Sequence, residues 1–180
     1  MSTVERLETI LAEMRGVFGR MPAETVAQLA GEIANARRVL MYGAGRTGLV
    51  LQAFAMRLMH LGLDGHFVGQ LSAPPVDSGD LLLTVLSAGQ LPTADALIGS
   101  AKAAGARVVA ISARPERVRG ADLVIPLPAQ IMADPPRSIL PLGSPFELAL
   151  SLLCDLVVVD LMAMRGLSNA DLAARHANLL

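Results

Sequence analysis

Five short runs of β-branched residues and leucine, at 38–42, 65–68, 81–86, 107–112 and 123–127, punctuate the middle of this 180-residue chain. None alternates apolar with polar residues, as a half-exposed antiparallel strand would, so each is expected to be a strand covered on both faces. Helical stretches separate the first four, most clearly 47–61 and 93–104. Strands buried on both faces and joined by helices predict an α/β fold, a parallel sheet sandwiched by helices. Ahead of the first run, Val4, Leu7, Leu11, Met14 and Phe18 recur at steps of three and four, and Val26, Leu29 and Ile33 do the same after Pro22. That spacing predicts two amphipathic N-terminal helices. A proline-rich stretch, 126–145, is expected to be a long loop leading into an apolar helix over 146–164, and a last short helix is expected to begin near Ser168. No repeat or linker divides the chain, so one domain is expected over 1–180, with N-terminal helices at 1–36, a sheet core at 37–165 and a C-terminal tail at 166–180.

Composition narrows the functions open to such a fold. Fifteen Lys and Arg against sixteen Asp and Glu give a net charge of −1. Nothing in that balance attracts nucleic acid or an anionic membrane, and neither is expected as a partner. Charged residues make up 17% and hydrophobic ones 53%, too little charge to cover a monomer's surface, so a homo-oligomer is expected. The single cysteine, Cys154, permits no internal disulfide. It fits a reducing compartment, and a packing role is expected for it. No His or carboxylate pair has metal-ligand spacing, so no metal is expected. Glu5, Glu8 and Glu13 break the pattern of a signal peptide, and Asp155 and Asp160 interrupt the most apolar helix. A cytoplasmic location and no membrane span are expected.

In parallel sheets ligands sit outside the carboxyl ends of the strands, which directs attention to the loops after the strand runs. After the first comes Gly43-Ala44-Gly45-Arg46-Thr47-Gly48, opening a helix. Its glycines would let backbone N–H groups approach an anion, the helix terminus adds partial positive charge, and Arg46 and Thr47 add donors. A dinucleotide would also need an acidic residue at the end of the second strand. That strand ends Phe67-Val68-Gly69-Gln70, with Asp64 at its beginning, so a phosphate is the expected ligand and a purely structural turn the alternative. After the third run, Ser87-Ala88-Gly89-Gln90-Leu91-Pro92-Thr93 makes a second small-residue turn into a helix. It reads equally as an anion site using Ser87, Gly89 and Thr93 or as a glycine turn with Thr93 capping the helix. Two such loops side by side suggest a phosphorylated small molecule.

Glu147 carries two readings. Ser144-Pro145-Phe146-Glu147 matches a capping box, with Ser144 as N-cap and Glu147 at N3. An acidic side chain at a helix start after a long loop is also placed to act as a general base. His176 lies in a C-terminal tail too short to need a histidine for packing, whereas His60 and His66 flank the second strand and read as structural.

Taken together, the segments 39–49 and 55–62, Gly79-Asp80-Leu81-Leu82, 102–106, Leu142-Gly143-Ser144-Pro145-Phe146-Glu147 and Arg175-His176-Ala177-Asn178-Leu179 closely resemble the 6-phospho-3-hexuloisomerase family of sugar isomerase (SIS) domains. The resemblance covers most of the chain after Arg38. It implies a five-stranded parallel sheet of flavodoxin-like, three-layer form and a homotetramer of paired dimers. It implies interconversion of 3-hexulose 6-phosphate and fructose 6-phosphate through an enediol, without a cofactor, in the ribulose monophosphate route of formaldehyde fixation. Glu147 and His176 match the family's candidates for base and acid, and the phosphate would be held by Gly45, Arg46, Thr47, Ser87, Gly89 and Thr93. Where the family usually carries Ser-Gly-Ser-Gly after the third strand, this chain has Ser87-Ala88-Gly89-Gln90. Other SIS isomerases, such as phosphoheptose isomerases, and a non-catalytic sugar-phosphate-binding protein are the alternatives.

Overall fold

The computed structural model describes residues 1–178; Leu179, the last position of the tail motif, and Leu180 lie outside the described residues. Five strands, β1 (Val39–Tyr42), β2 (Gly65–Phe67), β3 (Leu81–Val85), β4 (Arg107–Ser112) and β5 (Leu123–Pro126), form one sheet in the order β2-β1-β3-β4-β5. Every pairing is parallel, so the expected five-stranded parallel α/β sheet is what forms. Around it lie α1 (Thr3–Phe18), α2 (Thr25–Asn35), α3 (Arg46–His60), α4 (Pro92–Ala103), α5 (Ser144–Arg165) and α6 (Asn169–Ala173), all near their predicted places. A 3-10 turn at Pro115–Arg117, too short to show a hydrophobic period, was not predicted.

The strands lack polar alternation because both faces are buried, and successive residues serve two separate cores. Leu81, Leu83, Val109 and Ile111 pack with Leu29 and Ile33 of α2, Leu51 and Leu58 of α3, and Phe146 and Leu153 of α5. Their neighbours Leu82, Val108 and Ala110 point the other way, onto Ala94, Ile98 and Ala101 of α4. The two layers are unequal, since α4 is the one long helix on its face and must pack closely through small side chains. Sheet order places the site. The chain runs from β1 outward to the edge strand β2, then returns to β3 on the other side of β1, and this reversal opens a crevice beyond the carboxyl ends of β1 and β3.

Candidate active site

The loop after β1 enters that crevice first. Gly43 and Gly48 are demanded by close approach: a Cβ on Gly48 would stand 2.3 Å from the Gly43 carbonyl oxygen, and one on Gly43 would meet Thr47 and Gly48 at 3.0 Å. Gly45, at φ +59°, is the N-cap of α3 and gives the helix no side-chain cap. Among the described residues the N–H groups from Ala44 to Thr47 consequently have no backbone partner, which leaves them open to an anion. Thr47 behaves differently from expectation. Its hydroxyl donates to the Ala44 carbonyl at 2.8 Å, so the proton is committed to holding the loop and the backbone remains the main donor set.

The loop after β3 is built on a tight turn in which the Gly89 N–H bonds to the Leu86 carbonyl at 2.9 Å. Gly89 is buried at φ +110°, and a Cβ there would come within 2.3 Å of the Arg117 Cβ in the 3-10 turn. Its glycine is required by that packing. Gln90 then faces the crevice, as do Ser87 and Ala88. Pro92 opens α4 as expected, but the N-cap is Leu91, so Thr93 caps nothing; it is exposed and does not line the crevice.

Glu147 closes the third side. The capping box does not form: α5 begins at Ser144, its N-cap is Gly143, and no side chain caps it. Ser144 and Glu147 therefore stand at N1 and N4, one position out of the box, and both are met by Arg46, reaching across from the start of α3. Its Nη1 donates to Ser144 Oγ at 3.3 Å, and its Nε lies 2.8 Å from Glu147 Oε2. The latter is a contact of charges without hydrogen-bond alignment, because Oε2 is buried and receives no hydrogen bond. Arg46, expected to serve a phosphate, is thus held against the carboxylate instead.

These elements enclose a cavity of about 310 Å³ lined by Ala44, Thr47, Ser87, Gln90 and Glu147, and roofed from the proline-rich loop by Met132, Leu142 and Gly143. That volume suits a small metabolite. Leu142 adopts φ +55°, a conformation costly for a side-chain-bearing residue and most often retained at functional sites. The roof and the Arg46–Glu147 contact escaped the sequence reading. They pair positions about 100 residues apart, and in one sequence only the Pro141-Leu142-Gly143 punctuation hints at an unusual backbone.

His176 is elsewhere. It is exposed and sits at the far end of α3, its ring 5.2 Å from that of His60. Since α3 runs from Arg46 to His60, the two ends are separated by about 21 Å at 1.5 Å per residue, and the chain does not bring His176 to its own Glu147. Among the described residues, no group of three or more His, Cys, Asp or Glu side chains could hold a metal ion, and no helix is long and apolar enough to cross a membrane. Cys154 is buried in α5 and burial pushes its thiol well above the ordinary range, which suits packing.

A scan of protein-family models finds no match. Known proteins are more informative. The chain is 35% identical to the 3-hexulose-6-phosphate isomerase of Bacillus subtilis, over 99% of this chain and 100% of that one. It is 36% identical to the enzyme of the same name from Mycobacterium gastri, over 96% and 89%. A Methanococcus jannaschii crystal structure, from which a molecular function of 3-hexulose-6-phosphate isomerase has been inferred, superposes with a TM-score of 0.84 at 30% identity, covering 98% of this chain and 99% of the other. With a matching sheet, a cavity at its switch point and full-length similarity at this level, the chain belongs to the 3-hexulose-6-phosphate isomerase family of SIS sugar isomerases and is an isomerase.

Proposed function

We propose that this sugar-phosphate isomerase interconverts 3-hexulose 6-phosphate and fructose 6-phosphate by moving a proton between C2 and C3 through an enediol. The observation that carries this reading is Glu147: a carboxylate at the cavity wall, outside any capping role, whose buried Oε2 meets Arg46 Nε at 2.8 Å without an aligned hydrogen bond. In this reading it acts as the general base. It takes the proton from C2 of the 3-ketose, the C–H electrons form the C2=C3 double bond, and the C3 carbonyl oxygen gains a proton. Return of a proton to C3, with loss of the proton on the C2 oxygen, gives the 2-ketose. The reaction balances without an oxidant, reductant or cofactor. The remote phosphate is held by backbone N–H groups of the loop containing Gly45, Arg46 and Thr47, and by the Ser87 loop, in which Gly89 sets the turn. Thr93 acts only through the start of α4.

The acid at the sugar oxygens is His176 of a neighbouring subunit. Its Nδ1 lies 3.0 Å from the Ala177 carbonyl; a carbonyl only accepts, so Nδ1 carries a proton and Nε2 is left to exchange one. The surface supports assembly. Leu49, Met56 and Met59 on α3 and Leu152, Leu156 and Val159 on α5 are all exposed, an apolar surface flanking the site. A homotetramer of paired dimers working in the cytoplasm, within the ribulose monophosphate route, is the setting this reading implies.

A coupled assay with 3-hexulose 6-phosphate tests it directly. Turnover is expected, and its absence in folded, assembled protein would return the chain to the alternatives, a different sugar phosphate or binding alone. Complementation tests the shared site: assemblies mixed from inactive Glu147→Gln and inactive His176→Ala chains are expected to recover activity. Dead mixtures in which native mass spectrometry shows mixed oligomers would place both residues in one chain's site or remove His176 from it.

A further inference from the structure

The tail that carries His176 is seated on the end of α3 by a specific set of contacts. The His176 and His60 rings are stacked, their centroids 5.2 Å apart and their planes within 12°. Arg175 donates to the His60 carbonyl at 3.3 Å and to the Asp171 carbonyl at 3.1 Å. Its guanidinium lies over Gly62, where a Cβ would stand 3.3 Å from Nε, and Gly62 itself turns the chain at φ +74°. His60 is 3% exposed, and its Nδ1 faces Arg57 Nη1 at 3.4 Å. A guanidinium only donates, so that nitrogen is an acceptor and the His60 ring is neutral in this arrangement. Burial, then the Arg57 charge, then His176 itself push the His60 imidazole below its ordinary range.

From this arrangement we propose that His60 is the positioning residue for His176: a flat, neutral ring fixed in the core on which the exposed imidazole of the tail is stacked and aimed. An unsupported histidine in an exposed tail has no fixed ring direction, and a reacting group displaced by about 1 Å can lose about 100-fold in rate. The stack removes that freedom. The His60 ring is neutral in this arrangement, and the outer nitrogen of His176, Nε2, is the one left open to exchange. This inference rests on the reading that His176 serves a neighbouring subunit's site.

The chain has three histidines, His60, His66 and His176, so imidazole 13Cε1 signals of histidine-labelled protein report the seat independently of turnover. In assembled His60→Ala protein, the His176 signal is expected to move to the position of an unstacked, solvent-exposed imidazole. kcat is expected to fall about 10- to 100-fold with KM changed less than about twofold, the split expected when a group acting in the transition state loses its aim. His60→Phe keeps a flat ring and is expected to restore both signal and rate; Arg175→Met, which spares the buried ring, is expected to displace the signal should His60→Ala fail to fold. A His176 signal unchanged in His60→Ala and Arg175→Met overturns the proposal, as does folded His60→Phe that restores neither quantity. The rate of His176→Ala decides the underlying reading separately: full turnover there removes His176 from the reaction, while the signals alone decide whether His60 seats it.

Discussion

Both ends of the sheet concentrate charge, and they use it in opposite ways. At the amino end, Asp80 is fully buried and accepts from Nε and Nη2 of Arg37 at 3.0 and 3.1 Å, from Nε and Nη2 of Arg38 at 3.2 and 2.8 Å, and from the Asp77 N–H at 2.9 Å. Arg107 pairs with Glu32 beside it, and Lys102 with Asp122. At the carboxyl end, Arg46 and Glu147 meet without an aligned hydrogen bond, the N–H groups of the first loop lack backbone partners, and Leu142 is held in a left-handed conformation. An unsatisfied buried polar group costs about 1–3 kcal/mol, so a cluster that serves only the fold is expected to be complete, as Asp80 is. The incompleteness at the other end fits the proposed ligand site.

Substitution should separate the two ends. The largest effect is expected from Glu147→Gln. If Glu147 is the base, kcat falls about 10²- to 10⁴-fold, while the melting temperature stays level or rises because a poorly satisfied buried charge is gone. Near-normal turnover would break the comparison by making the carboxyl-end charge structural too. Asp80→Asn should do the reverse. It leaves two guanidiniums without their carboxylate, and we expect about 3 kcal/mol of lost stability, at the low end for a broken buried pair because Arg37 is half-exposed and can rehydrate. The protein that stays folded should keep its kcat. Chemical denaturation alongside steady-state kinetics checks both variants.

Acid sharpens the contrast. Burial alone would raise the Asp80 carboxyl, but hydrogen bonds from Arg38, Arg37 and the Asp77 N–H hold it below the usual carboxylate range. A lowered folded-state value means the contribution is complete above the unfolded value of about 3.9 and is lost as pH falls below it through the folded value. Wild-type protein should lose stability over that window by denaturant titration, and Asp80→Asn should lose less. Equal losses would show that Asp80 is not the group responsible.

The fold was legible because buried parallel strands leave an unbroken apolar signature, and the glycine loops because close approach at Gly43 and Gly48 admits little else. Capping was misread: Ser144 and Glu147 stand at capping-box spacing, but Arg46, about 100 residues earlier, takes both side chains. The role of His60 was missed for the same reason. Its partner His176 is 116 positions away, so a histidine placed to seat another looks in sequence like one that merely fills the core. Local chemistry can be read along a chain, but partners supplied by the sheet order cannot.

Smaller effects probe the loop itself. Thr47→Val removes the hydroxyl bond to the Ala44 carbonyl, worth about 0.5–1.5 kcal/mol. The donors it loosens would hold the phosphate in ground and transition states alike, so KM should rise several-fold with kcat nearly unchanged. A fall in kcat with KM constant would instead tie this loop to the chemical step.

Ser144→Ala should have the smallest effect, and its size distinguishes two accounts of the α5 start. If Ser144 capped the helix, its loss would cost about 0.5–2 kcal/mol of stability. The structure gives Ser144 the first position of the helix, caps it with the Gly143 backbone and points Arg46 Nη1 at Ser144 Oγ from 3.3 Å. Since no cap is lost, stability should change by less than about 0.5 kcal/mol, as at an ordinary surface position. Arg46 would lose one of its two contacts at this helix start and hold Glu147 less firmly, so kcat should decline by a small factor, about two- to threefold, with KM unchanged. A stability loss above about 1 kcal/mol with full activity would restore the capping reading and weaken the contrast between the two ends of the sheet, because the carboxyl-end residues would then be serving the fold after all.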